Sequence, residues 1–103
     1  MDHIKELTRV FKALSDETRL RLLKLLADQA EEGALCVGAL AMNLGVSQSA
    51  VSQHLAVLRA VGLVVDERRG YFVHYRVDRA RLAQWGEQVR AAFGEDFIGS
   101  SAT

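Results

Sequence analysis

The amino-acid sequence predicts a mainly α-helical fold with a small β-hairpin, in which four helices precede the hairpin and a fifth follows it. Apolar residues recur three and four positions apart on both sides of residues 63–77, whereas that stretch is rich in β-branched and aromatic residues. The chain has 103 residues and 50% of them are apolar, which suits one modest core. We expect residues 1–98 to form a single domain and the residues after it, 99–103, to form a disordered tail.

The first two predicted helices cover about residues 2–14 and a segment that ends near residue 27. The first carries a narrow apolar stripe, formed by Ile4, Leu7, Phe11 and Leu14. Ser15 is the predicted N-cap of the second helix, because its hydroxyl oxygen can accept a hydrogen bond from a first-turn N–H group. The second helix is expected to turn three leucines inward and two basic side chains outward: Leu22, Leu23, Leu26, Arg19 and Lys24.

Residues 37–62 predict two short helices joined by a tight turn. Ser47 is the predicted N-cap of the second of these helices, and Gly62 the residue just past its end. The apolar residues spaced i, i+4 and i+7 on its buried face are Val51, Leu55 and Leu58. No residue from 47 to 58 is charged, so the opposite face of this helix differs from that of an ordinary solvated helix.

The exposed face of that helix predicts contacts with DNA bases. Its side chains are hydroxyls, amides and one methyl group, contributed by Ser49, Ser52, Gln53 and Ala56. Glutamine can form two hydrogen bonds with adenine, and serine can donate to or accept from base edges in the major groove. The alternative is a helix that packs against another protein.

The residues after this helix predict a β-hairpin with an excess of positive charge. Its strands, residues 63–65 and 71–77, are joined around Arg69 and Gly70. The chain has no net charge, but residues 59–81 contain six arginines and three acidic residues. Because arginine contacts with phosphates position a protein on DNA, the hairpin is expected to contact the flanking backbone or the minor groove. The alternative is a solvated hairpin of mixed charge.

Helices followed by a hairpin in this order predict a winged helix-turn-helix domain, with helix 47–61 in the major groove and hairpin 63–77 as the wing. The predicted DNA-binding residues are Ser47, Gln48, Ser49, Ser52, Gln53, His54, Arg59, Arg68, Arg69 and Tyr71. His54 is expected to pack or to contact a phosphate. Tyr71 either packs within the wing, which is the favoured role, or bonds to a phosphate.

The first and last helices lie outside this unit and predict a symmetric dimer. Asp78 is the predicted cap of the last helix, about residues 79–94, which repeats apolar residues along one side. Twofold pairing of the terminal helices would bury both apolar stripes. The predicted interface residues are Ile4, Leu7, Phe11, Leu82, Trp85, Val89 and Phe93. Such a homodimer would place two helices in successive major grooves, so its target in double-stranded DNA is expected to be an imperfect palindrome.

Three segments of the chain carry a resemblance to a known family. Residues 13–23 (ALSDETRLRLL), 44–55 (LGVSQSAVSQHL) and 58–64 (LRAVGLV) are similar to the ArsR/SmtB family of bacterial repressors, and the similarity extends over about residues 4–90. The resemblance implies a homodimeric winged-helix repressor that occupies an operator overlapping its own promoter. It also implies release by an inducer, which in this family is often a metal ion or arsenite.

The first ligand set of the family matches this chain only in part. The family site is a Cys-Val-Cys segment followed by Asp. This sequence keeps Cys36 but has Gly38 in place of the second thiol and Ala39 in place of the acid. Because arsenite prefers three thiolates and soft metals need several Cys or His ligands, one thiol is too few.

The second ligand set of the family lies on the last helix and is also incomplete. Asp78 matches its first position, but Ala80, Ala91 and Gly94 stand at the positions of the later ligands. No cofactor is therefore predicted, and a metal ion or arsenite is disfavoured.

Two sensor hypotheses remain for Cys36. The first pairs it with His3 of the partner subunit, together with Asp2 or Glu6, as metal ligands. The second is a thiol that is oxidised or alkylated and so weakens DNA binding. The alternative is that Cys36 is a small buried hydrophobic residue without chemistry. His74 is expected to be a wing residue, also without chemistry. The effector is thus unknown, and competition with another DNA-binding protein is a further route to regulation.

Other classes of protein are disfavoured by what the sequence lacks. It has no run of about eighteen apolar residues that would predict a transmembrane helix, and its charged N-terminal segment does not resemble a secretory signal. A single cysteine allows no disulfide within the chain and fits a cytoplasmic protein. We expect no enzyme, because the sequence has no glycine-rich phosphate loop, His-Glu-x-x-His motif or nucleophile elbow. The alternative from another class is a winged-helix module that binds protein and never DNA.

Overall fold

The computed structural model describes residues 3–29 and 34–94. In these ranges the chain forms five helices and three strands: α1 (His3–Leu14), α2 (Glu17–Ala27), β1 (Leu35–Cys36), α3 (Val37–Leu44), α4 (Gln48–Ala60), β2 (Val64–Arg69), β3 (Phe72–Val77) and α5 (Arg79–Phe93). The five predicted helices and the predicted hairpin are confirmed. None of these helices is long and apolar enough to cross a membrane. Asp2, the predicted domain end at residue 98 and the predicted tail lie outside the described residues.

Aspartate and serine side chains cap three of the helices. Ser47 and Asp78 accept hydrogen bonds from first-turn N–H groups of α4 and α5, as the sequence predicts. The prediction of Ser15 as the cap of α2 is wrong, because Asp16 has the extended backbone of an N-cap and accepts the first-turn hydrogen bond. The hydroxyl of Ser15 instead donates to the carbonyl oxygen of Lys12 at 2.8 Å.

The core lies between α2, α3, α4 and the base of the hairpin. The residues that the sequence predicts to point inward from α2 and α4 are all buried: Leu22, Leu23, Leu26, Val51, Leu55 and Leu58. Leu40 and Ala41 of α3 complete the helical side, and Val64 and Val77 close the core from the sheet. A fully buried Leu or Val contributes about 1.5–3 kcal/mol relative to an exposed one, so this cluster holds α4 firmly in place.

The three strands form one antiparallel sheet in the order β1-β3-β2. Gly70 has a φ of 65°, the left-handed conformation that the turn between β2 and β3 requires. The sequence does not predict β1, in which Leu35 pairs with Tyr75 and Cys36 with His74. A strand of two residues has no periodicity to detect, so the sheet has one strand more than the predicted two-stranded hairpin.

Helix α1 buries a different set of residues from the predicted stripe. Leu7, Val10 and Ala13 are buried within the single chain, whereas Ile4 and Phe11 are exposed. The predicted stripe includes Leu7 but not Val10 or Ala13, because it follows the largest apolar side chains rather than the face that meets the core. Leu7 is therefore a core residue of one chain, not a surface residue.

Helix α5 shows the same division between a buried and an exposed set. Val89 is buried within the single chain, Leu82 and Trp85 are half-buried, and Phe93 is exposed. The rings of Phe11 and Trp85 meet edge to face, with centroids 5.1 Å apart and planes inclined by 68°. The terminal helices thus pack against each other and leave apolar side chains at the surface.

Candidate nucleic-acid interface

Helix α4 turns its uncharged face toward solvent. The side chains of Ser49, Ser52, Gln53 and Ala56 are all exposed, while the buried residues of the helix are Val51, Leu55 and Leu58. Side chains that contact base edges in a major groove must be accessible to the DNA, and these four exposed side chains are.

A tight turn sets the direction in which α4 begins. Gly45 has a φ of 68°, and its N–H donates to the carbonyl oxygen of Ala41 at 2.9 Å. Two residues later, the hydroxyl oxygen of Ser47 accepts a hydrogen bond of 3.0 Å from the N–H of Ala50. Ser47 is therefore first a helix cap, and its hydroxyl hydrogen remains available to a ligand. Gln48 is exposed beside it.

His54 lies on the flank of α4 and is half-buried. Its Nδ1 is 3.3 Å from the Nη1 of Arg19, whose Nε donates to the carbonyl oxygen of Ala13. The prediction that Arg19 lies outside is wrong, because these contacts draw its side chain toward α4; Lys24 is exposed as predicted. The backbone N–H of Arg19 bonds to Asp16 and, helped by the nearby charges of Arg19 and His54, lowers the pKa of Asp16 below its ordinary value of 3.8.

Two of the arginines predicted to bind DNA are paired within the chain. The Nη1 of Arg59 lies 3.2 Å from the Oδ2 of Asp66, and Arg69 donates hydrogen bonds of 2.6 and 2.8 Å to Glu67. The bonds from Arg69 lower the pKa of Glu67 below 4.5, and the charges of Arg69 and Arg76 act in the same direction. The net positive field of the hairpin is therefore weaker than the count of arginines indicates.

Other arginines of the basic segment are also bound to the protein itself, with one exception. Arg79 donates to the carbonyl oxygen of Gln29 at 2.8 Å, and Arg81 donates to the carboxylate of Glu6. The side chain of Arg68 is exposed on β2, and its guanidinium makes no hydrogen bond or ion pair with any residue that the structure describes. Among the arginines of the wing, Arg68 can therefore bind a phosphate without first breaking a contact with a described residue.

The tip of the wing carries two exposed aromatic side chains. The packing role favoured for Tyr71 is wrong, since 98% of this residue is exposed. Phe72, which is not among the predicted DNA-binding residues, is 64% exposed beside it. An aromatic pair directly after the turn glycine Gly70 was the signal that could have identified Phe72.

The candidate sensor residues lie apart from the DNA-facing helix surface. Cys36 is half-buried at the junction of β1 and α3, and its thiol makes no capping hydrogen bond. His3 is exposed at the start of α1. Within residues 3–29 and 34–94, no three His, Cys, Asp or Glu side chains gather into a site that could hold a metal ion.

The order of α2, α3 and α4 followed by the β2–β3 hairpin defines a winged helix-turn-helix protein. Residues 16–65 match the family described as "Bacterial regulatory protein, arsR family". The arsenical resistance operon repressor of Escherichia coli (strain K12) is 42% identical over 81 residues, which are 79% of this chain and 66% of that protein.

Solved structures similar to this chain are also winged helix-turn-helix or ArsR-like regulators. The ArsR-like transcriptional regulator from Rhodococcus sp. RHA1 is similar with a TM-score of 0.75 and 34% identity, covering 92% of this chain and 85% of that chain. The homodimeric winged helix-turn-helix DNA-binding domain Mb0332 from Mycobacterium bovis is similar with a TM-score of 0.69 and 29% identity, covering 97% of this chain and 89% of that fragment.

The chain belongs to the arsR family of bacterial regulatory proteins. The relatives that it matches are named as transcriptional regulators or repressors, not as enzymes. In its alignments with three arsenic-resistance regulators, the chain spans 64–66% of their length.

Proposed function

We propose that this chain is a homodimeric transcriptional repressor that binds an imperfect palindrome in double-stranded DNA. The observation that carries the proposal is the uncharged, exposed face of α4 in a winged helix-turn-helix domain. Hydroxyl and amide side chains on such a face can form hydrogen bonds with base edges, and an ordinary solvated helix would carry charges there. Because the proposed target is DNA, the proposed site of action is the cytoplasm.

The two parts of the DNA interface have different roles in this proposal. Ser52 and Gln53 contact base edges in the major groove and supply sequence discrimination. Arg68 of the wing contacts a phosphate beside the site and supplies position and affinity. Because Arg59 and Arg69 already have acidic partners, they contribute less to phosphate binding than Arg68 does.

The terminal helices supply the proposed dimer contact. Ile4 and Phe11 of α1 and Phe93 of α5 are exposed apolar residues on these helices, and the similar domain from Mycobacterium bovis is described as homodimeric. A twofold pair would bury the same apolar surface on each subunit and set the two copies of α4 about one helical turn of DNA apart, roughly 34 Å.

The signal that would release this repressor differs from that implied by the names of its relatives. Several of those relatives are named for arsenic resistance, but this chain has one cysteine, and arsenite prefers three thiolates. We therefore propose an effector other than arsenite.

The test of the proposed function is binding to the DNA upstream of the protein's own gene at two salt concentrations. A repressor should protect a palindromic site from cleavage, and its affinity should fall steeply with salt because bound phosphates release their counterions. A random sequence of the same length is the control. Weak binding with the same affinity for both sequences would overturn the proposal and leave a protein-interaction module.

A further inference from the structure

The end of the hairpin holds two adjacent aromatic side chains at the surface, Tyr71 and Phe72, which we call the aromatic tip. Gly70 and Tyr71 form the two-residue loop between Arg69 and its cross-strand partner Phe72. Tyr71 is 98% exposed and Phe72 64% exposed. Such a loop needs residues that tolerate a left-handed backbone, and Gly70 supplies that conformation. The turn therefore does not require the aromatic pair, whose apolar surface is left for a partner to cover.

The wing is long enough to carry the aromatic tip from one groove of DNA to the next. Val64 pairs with Val77 in the core, and Arg69 pairs with Phe72 five positions further along. At about 3.4 Å per residue, the hairpin extends about 17 Å between these two pairs. One turn of DNA is about 34 Å long, so the minor groove lies roughly 17 Å along the axis from the major groove proposed to hold α4. The hairpin thus spans the distance between the two grooves.

The charge around the aromatic tip favours a nucleic acid as its partner. Between residues 59 and 76 the basic side chains outnumber the acidic ones, as Arg59, Arg68, Arg69 and Arg76 against Asp66 and Glu67. Alternate residues of a strand project from the same face, so Arg68 lies on the face of Asp66. Asp66 contacts Arg59 in the last turn of α4, which places the unpaired guanidinium of Arg68 on the side of that helix. A phosphate bound there would hold the wing along the duplex with its aromatic tip ahead.

The shape and chemistry of the aromatic tip favour the bases of the minor groove over the backbone. This groove is about 6 Å wide, which excludes an α-helix about 10 Å across but admits the edge of an aromatic ring. A contact with phosphates alone would leave both rings in water, whereas a base covers a ring that stacks on it. Proteins that kink DNA from the minor groove insert apolar side chains, phenylalanine among them, between neighbouring base pairs.

We propose that Tyr71 and Phe72 insert into the minor groove beside each half-site, open one base step and bend the duplex. The inference rests on the proposed function and adds a second region of contact with the same DNA. Pyrimidine–purine steps such as TA are the easiest to kink, so the aromatic tip selects such a step without hydrogen bonds to its bases. Operator specificity thereby extends beyond the bases that α4 contacts.

The first test measures how far the protein bends its operator, from the gel mobility of circularly permuted fragments at saturating protein concentration. Wild type is expected to bend the DNA by at least about 20°. The serine variant, Tyr71→Ser combined with Phe72→Ser, should lose most of the bend. The leucine variant, with leucine at both positions, should keep it, because leucine also inserts between base pairs.

The control for this test is Leu20→Ser, which removes an exposed apolar side chain from α2 and should bend DNA like wild type. Circular dichroism checks the folding of every variant. An operator that stays straight with wild type bound would overturn the proposal, and this arm needs no variant. An undiminished bend in the serine variant would also overturn it.

The second test asks whether the aromatic tip and the flanking sequence act together. Affinities are measured for pairs of operators that differ in one flanking step, TA or AA, placed in turn at each position of the flank. At one position wild type should bind the TA operator at least about fivefold more tightly, whereas the serine variant should bind both operators equally. The same preference in both proteins, or no preference in wild type at any position, would contradict the proposal.

The outcomes separate this inference from the proposed function. If wild type protects no operator, the proposed function fails and the inference with it. If wild type protects a palindrome but leaves it straight, the proposed function stands and only the insertion of the aromatic tip is overturned. A serine variant that bends DNA normally but loses an association between dimers, measured by sedimentation equilibrium, would assign the aromatic tip to a protein contact instead.

Discussion

The carboxylate of Glu6 accepts a hydrogen bond from the guanidinium of Arg81, which joins α1 to α5 across 75 positions of sequence. Glu6 also accepts a bond of 3.0 Å from Arg9, and Arg9 donates to the carbonyl oxygen of Ala60, at the end of α4, at 3.4 Å. The side chain of Arg81 lies against Gly62, where an added Cβ would be 3.4 Å from its Nε. One polar network thus connects the terminal helices to the end of the helix proposed to contact bases.

This network predicts that Glu6→Gln destabilises the protein. We expect the free energy of unfolding to fall by about 1–2 kcal/mol, because the guanidinium of Arg81, with 16% of its side chain exposed, loses its charged partner. Urea denaturation followed by circular dichroism measures the change. Glu87→Gln is the matched control, since its i,i+3 pair with Arg90 is exposed and should be worth less than about 0.5 kcal/mol. Equal losses in both variants would show that the network adds no stability.

Gln53 is expected to discriminate between DNA sequences. Gln53→Ala should weaken binding to the cognate site by about 1–3 kcal/mol, or roughly 5- to 150-fold, because it removes the hydrogen bonds to a base. Binding to random DNA should change little. Gln84→Ala, which removes an exposed glutamine of α5, is the control. Fluorescence anisotropy with both DNA sequences gives the result, and equal losses on the two would remove Gln53 from base contact.

The wing arginines should differ in their effect on affinity. Arg68→Ala should weaken binding to all sequences and reduce the slope of log K against log salt by about 1, as expected for the loss of one phosphate contact. Arg69→Ala should have a smaller effect, because Arg69 is held by Glu67. Salt titrations of wild type, Arg68→Ala and Arg69→Ala measure the affinity and the salt slope of each protein. A larger loss in Arg69→Ala would mean that its ion pair opens on DNA.

Acid should remove a stabilising contribution from the cap of α2. The pKa of Asp16 in the folded protein lies below its ordinary value of 3.8, because the carboxylate accepts a hydrogen bond from the N–H of Arg19. Its ionisation therefore stabilises the fold above about pH 4, and this stability is lost as the pH falls through the folded pKa. We expect the Tm of wild type to exceed that of Asp16→Asn near pH 6 and the gap to close below about pH 4. A gap that widens in acid would contradict the capping hydrogen bond as the cause of the lowered pKa.

Changing one exposed apolar residue should separate the proposed dimer into subunits. Ile4→Lys introduces a charge on α1 at a residue that is 58% exposed in the single chain, and it should weaken dimerisation at least about tenfold. Leu20→Lys, at a residue of α2 that is 50% exposed, is the control and should leave the dimer intact. Sedimentation equilibrium measures both. A dimer that resists Ile4→Lys but dissociates in Leu20→Lys would place the interface on α2.

Much of the fold could be predicted from the sequence because its elements have long, regular patterns. The spacing of Val51, Leu55 and Leu58 identifies the buried face of α4, and so also the exposed one. The cap of α2 could not be assigned, because Ser15 and Asp16 are both good capping residues and only the backbone geometry distinguishes them.

The candidate site was less predictable, since its charges depend on contacts between distant parts of the chain. Counting residues gives segment 59–81 six arginines against three acids, but it cannot show that Arg59 and Arg69 are paired while the side chain of Arg68 has no partner among the described residues. Similarly, two-residue β1 has no pattern of its own, so the sequence contains no sign that Cys36 and His74 are cross-strand neighbours.

Trp85 is the one tryptophan of the sequence, so the intrinsic fluorescence of the protein reports on the surroundings of this side chain. Its ring touches Phe11 edge to face, and its Nε1 is buried without a hydrogen-bond partner among the described residues. The emission of this indole is therefore sensitive to any rearrangement between α1 and α5. Because α4 and the wing have no tryptophan, a change in emission during a DNA titration would show that DNA binding at α4 alters the contact between α1 and α5. This measurement needs no attached label.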